Sequence, residues 1–93
     1  MTNYVWVFKM KATKWNAWKI AEILKQVPAL NMPWCIKYNM AIHWDYICGY
    51  EEWKNKEAHT QSMQIPEVKA LVSQAFPYMD WMPEMLFEWE NII

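Results

Sequence analysis

The residues of this chain best suited to hold or move a proton lie close together in "GYEEWKNKEAHTQ", residues 49–61. Glu51 and Trp53 stand two apart in a run that reads as a strand, so they share one face. Glu51 on that face can hydrogen-bond a ligand, or serve as a solvated carboxylate that supports a helix cap. Trp53 either lines a pocket or closes the core at the sheet edge, and in both cases its N–H needs an acceptor. His59 follows on a short, polar, helical segment. A neutral imidazole there can accept a proton; the alternative is an exposed histidine on a solvated helix. Gly49, the only glycine, marks either a gap that admits a ligand or a point of close packing. Tyr38 and Asn39 are polar groups on an earlier strand. Alternation places Asn39 with Cys35 and Tyr38 with Trp34, without deciding which face meets the helices. His43 falls in a hairpin turn and reads as a surface residue.

The remaining composition narrows the chemistry. Two histidines far apart and two cysteines outside any CxxC pair do not make a zinc site, and reduced thiols are expected. The 93 residues contain no arginine, and nine lysines are scattered against ten carboxylates for a net charge of −1. A nucleic-acid partner would call for a basic patch with bidentate arginines. No apolar run is long enough to span a membrane. The N-terminus lacks the pattern of a signal peptide, so a cytoplasmic protein is expected. Eight tryptophans, eight methionines and one glycine are unusual for an evolved enzyme, and an engineered or strongly diverged chain fits them.

Positioning these residues takes one domain of seven elements, residues 1–93. "YVWVFKMK" (4–11) reads as a strand. "NAWKIAEILKQV" (16–27) reads as a helix with Ile20, Ile23, Leu24 and Val27 on its apolar stripe. Asn16 is expected to cap it, Trp15 to staple onto Ile20, and Pro28 to end it; Trp18 falls off the stripe. Strands follow at 34–42 and 46–53. Asn55 is expected to cap a helix over 56–63, and Pro66 to open another with Val68, Leu71, Val72 and Ala75 inward. An irregular link between Pro77 and Pro83 leads to a last strand at 85–90. The order β-α-β-β-α-α-β suits an α+β, ferredoxin-like antiparallel sheet with helices on one face. The strands, however, carry large apolar groups on both faces. A second copy packed sheet to sheet would cover the open one.

Three segments carry a resemblance. "MPWCIKY" (32–38), "YEEWKN" (50–55) and "IPEVKAL" (65–71) resemble, in register, a strand lead-in, a Glu-x-Trp strand end with its cap, and a helix start of the antibiotic biosynthesis monooxygenase family. The resemblance implies a dimeric α/β barrel with a pocket between sheet and helices in each subunit. It implies oxidation of an aromatic phenol, quinol or polyketide by dioxygen, with no metal or flavin cofactor. By the same resemblance Trp53 lines the pocket, and His59 stands where the polyketide-oxidising branch has a pocket tyrosine. Deprotonation by His59 would let the substrate reduce oxygen directly. Gly49 stands where that branch has an asparagine, so that contact is missing. The segment "KALVSQAF" has no histidine to hold haem, which argues against haem degradation. A non-catalytic dimer that binds a small molecule, or a cyclase or isomerase on the same barrel, are the alternatives.

Overall fold

In β1 (Asn3–Ala12) the residue periodicity of two decides the layering. Tyr4, Phe8, Met10 and Ala12 are buried on one side, with Trp6 half-buried among them. The computed structural model of the chain describes residues 3–27, 32 and 34–91. The expected role of Pro28 lies outside the described residues. After β1 come α1 (Ala17–Leu24), β2 (Cys35–His43), β3 (Tyr46–Trp53), α2 (Lys56–Ser62), α3 (Pro66–Ala75), a 3-10 turn (Phe76–Tyr78) and β4 (Met79–Asn91). All strand pairs are antiparallel, in the order β2-β3-β1-β4. This is the expected α+β, ferredoxin-like arrangement. No helix among the described residues is long and apolar enough to cross a membrane.

The helices bury one stripe each against the inward face of β1 and β3. Ile20 and Leu24 on α1 and Ala75 on α3 cluster with Phe8, Met10 and Ile47, while Val27 clusters with Val68 and Leu71 of α3 beside Tyr38. Side chains such as Ile20, fully removed from water, stabilise the fold by about 1.5–3 kcal/mol each. Trp18 is exposed, as its place off the stripe implies.

Four local expectations are revised. Asn16 does not cap α1. Its side-chain amide donates to Thr13 Oγ1 at 2.8 Å, and Trp15 is 80% exposed rather than stapled to Ile20. The link before the last strand is itself strand from Met79 onward. Pro83 is accommodated because β4 is an edge strand whose pairing with β1 shifts register nearby. Last, β2 slips by one residue between Cys35 and Lys37. That bulge at Ile36 reverses the alternation. Cys35 pairs with Trp53 and Tyr38 with Glu51, so both face the helices. Asn39, opposite Tyr50, faces the other way. The Asn55 cap on α2 forms as expected, its carbonyl accepting from the Ala58 N–H at 2.8 Å.

Candidate active site beneath the helices

Register alone brings the site residues of three strands together. Tyr38 on β2 faces Glu51 on β3, and Glu51 faces Trp6 on β1. One step along, Trp53 faces Tyr4. α2 then drops onto this end of the sheet. Ala58 and Ser62, four apart, are its buried residues, and His59 lies on the inner flank beside them. The imidazole is therefore largely buried, its side chain 12% exposed. Trp6, Tyr4 and Trp53 surround it with ring centroids at 4.6, 5.6 and 5.6 Å. An exposed histidine on a polar helix is ruled out for this fold.

Glu51 is likewise buried, not solvated. Its Oε1 accepts from the Trp53 indole N–H at 3.0 Å, which answers where that N–H goes. The same Oε1 lies 3.7 Å from His59 Nε2, and that nitrogen has no hydrogen-bond partner among the described residues. Burial pushes the Glu51 carboxyl up to about 7, with the Trp53 N–H pulling it back. Burial also holds His59 below its ordinary range, against the pull of Glu88. The result is a neutral imidazole beside a carboxyl that titrates near neutrality. Tyr38 and Tyr4 are both raised, first by burial. The Tyr4 hydroxyl donates to Glu88, which also pairs with Lys56 at 3.4 Å.

A cavity of about 100 Å³ opens beside Glu51. Trp6, Phe8, Tyr38 and Trp53 wall it from the sheet; Leu24, Val27, Val68 and Val72 wall it from the helices. Met32, Met63 and Met79 also line it. Among the described residues its lining carries one carboxyl and no cation. His59 is not part of the lining and sits behind Glu51.

Thus Trp53, Glu51, Tyr38 and His59 come together, and two further candidates do not. Asn39 is on the opposite face of the sheet, removed from this cavity by the bulge. Gly49 offers no room to a ligand, because a Cβ there would lie 2.0 Å from Phe8 Cε1. The Phe8 ring, stacked on Trp6 at 4.7 Å, already fills the gap. The residues that the sequence reading passed over are Phe8, Ser62 and the three methionines. Alternation along β1 and the i, i+4 pair Ala58/Ser62 were the available signals for the first two; no local pattern places Met32 or Met79.

No family model and no curated protein matches the sequence. Solved structures do. A candidate antibiotic biosynthesis monooxygenase from Chloroflexus aurantiacus J-10-fl superposes with a TM-score of 0.80 at 26% identity, over 98% of this chain and 92% of that one. This is the fold of the antibiotic biosynthesis monooxygenase family. Another such candidate, from Caulobacter crescentus CB15, superposes at 0.88 with 15% identity, over 99% and 92% of the two chains. A third, from Nitrosomonas europaea, gives 0.85 at 9% identity, over 97% and 90%. The latter two identities speak for the fold alone. The antibiotic biosynthesis monooxygenase fold thus frames the cavity found here between sheet and helices, while the residues in its wall are this chain's own.

Proposed function

We propose that the chain is a cofactor-independent monooxygenase acting on a small phenol or quinol. The observation that carries this is the setting of Glu51: a carboxyl at the wall of an apolar cavity, with a neutral imidazole 3.7 Å behind it. Such a pair takes up a phenolic proton and leaves an electron-rich ring facing dioxygen. The substrate supplies the electrons. A phenol with a free para carbon and one dioxygen give a quinone and one water, with one oxygen atom in each product. The cavity, about 100 Å³, is smaller than the ~150 Å³ that encloses benzene in an engineered apolar site. It therefore favours one ring over a fused polyketide, and the flexible methionines in its lining give the remaining room.

Oxygen uptake with a panel of phenols and hydroquinones tests this reading. We expect turnover above the uncatalysed rate, lost by a factor of about 10² or more in Glu51→Gln. Uptake no faster than in buffer across the panel would remove it. One observation favours a second reading. Among the described residues the cavity lining holds no cation to stabilise reduced oxygen, which suits a protein that binds an aromatic molecule without turning it over. Quenching of tryptophan fluorescence by phenols, with no oxygen consumed, would select that reading. In either case a second copy is proposed to cover the open face of the sheet, where Val7, Cys48 and Tyr50 stand.

A further inference from the structure

We propose that Glu51, through its Oε2, is the group that takes the phenolic proton, and that His59 acts only through Glu51 as a positioning residue. This rests on the reading that the cavity admits a phenol. In the step, the phenol O–H bond breaks, the proton goes to Glu51, and the electron pair stays on the phenolate oxygen.

The geometry separates the two candidates. Glu51 is in the cavity wall and His59 is not. The imidazole is boxed by Tyr4, Trp6 and Trp53, so a ligand in the cavity meets the carboxyl first. Both the Trp53 N–H and His59 Nε2 address Oε1. That leaves Oε2 for a ligand. The Trp53 bond fixes the carboxyl plane, and a shift of under an ångström would bring His59 into hydrogen-bonding range of Oε1 once the carboxyl ionises.

The surrounding groups do not compete. Tyr38 on β2 lies opposite Glu51, and Tyr4 on β1 and Cys35 on β2, both opposite Trp53, are near enough to feel its charge. All three are raised, first by burial, then by Glu88 and last by Glu51 for Tyr4, and by Glu51 for Tyr38 and Cys35, so they stay protonated. From α2 comes His59, held neutral. Glu88 on β4 and Lys56 on α2 pair with each other, and their charges act on His59 in opposite directions. The helical segments carrying Leu24, Val27, Val68 and Val72 present only apolar side chains to the cavity. The ionisation of Glu51 itself is centred near neutral pH.

Calorimetric titration with phenol, and with anisole as a probe that has no proton to give, tests the assignment. For the wild-type chain the affinity for phenol should rise about tenfold from pH 6 to pH 8, the change in ionised fraction of a carboxyl centred near 7. Anisole affinity should stay level. In the isosteric Glu51→Gln variant phenol still binds, and the rise is gone. His59→Ala keeps the rise but moves its midpoint to higher pH, which a merely structural histidine would not do. A wild-type profile in Glu51→Gln, or loss of the rise in His59→Ala, overturns the assignment and leaves the proposed function standing. Absence of phenol binding at every pH overturns both.

Discussion

Burial takes Glu51 out of water in the folded state but not in the unfolded chain. The folded protein therefore holds a proton on this group up to about pH 7, against an ordinary value of 4.5. The stability this group confers is fully present below pH 4.5 and is lost as the pH rises to 7. Above that the loss is constant, about 3 kcal/mol. His59 has the opposite sign: its depressed pKa costs stability as the pH falls below its ordinary 6.5. Comparing Glu51→Gln with the wild type isolates the first effect. The variant should match the wild type near pH 4 and exceed it by up to about 3 kcal/mol at pH 8, read by urea denaturation at both pH values. Equal differences at the two would show that Glu51 is not desolvated. Strand alternation had put Glu51 beside Trp53 on one face. It could not show that α2 would shut that face from water, which makes the carboxyl a proton acceptor.

At the scale of elements, the turns carry strain that the strands do not. Trp15, Trp34 and Trp44 have φ of 70°, 71° and 57°, the left-handed region that costs a residue with a Cβ roughly 1–2 kcal/mol. Trp44 is the first central residue of the two-residue hairpin between His43 and Tyr46, a place where glycine is preferred. The ring is 77% exposed, so it contributes little packing to offset the strain. Trp44→Gly should stabilise the chain by about 1 kcal/mol, raising Tm by roughly 4–8 °C. Asn55→Ala should cost about 1 kcal/mol by removing the α2 cap, and thermal denaturation reads both. The cap was legible in sequence because an asparagine before a helical run acts through local geometry alone. The bulge at Ile36 was not. It depends on how β2 pairs with β3, so Asn39 was assigned by an alternation that the pairing broke.

For the molecule as a whole, the sheet is covered by helices on one face. The other presents Val7, Cys48 and Tyr50 near its centre, with Tyr46 at 41% and Trp89 at 44% exposure. Apolar side chains grouped on one sheet face, with Lys9 and Lys11 in register beside Cys48 and Tyr46, are the kind of surface an interface covers. The proposed dimer, sheet against sheet, removes it from water. Sedimentation velocity at micromolar concentration should give twice the subunit mass. Val7→Lys, which places a charge opposite Tyr50 in register, should give folded single subunits. A wild-type chain that sediments as a folded monomer would sink the dimer.

The order of elements, their antiparallel packing and the inward stripes of α1 and α3 were determined by the sequence itself. They follow from periodicities of 2 and 3.6 that each segment expresses alone. The site was decided only in three dimensions. Desolvation of Glu51 and His59, the Phe8 ring that fills the space over Gly49, and the loss of Asn39 to the other face all arise between segments far apart in the chain. Burial and register belong to such contacts, and no single segment encodes them.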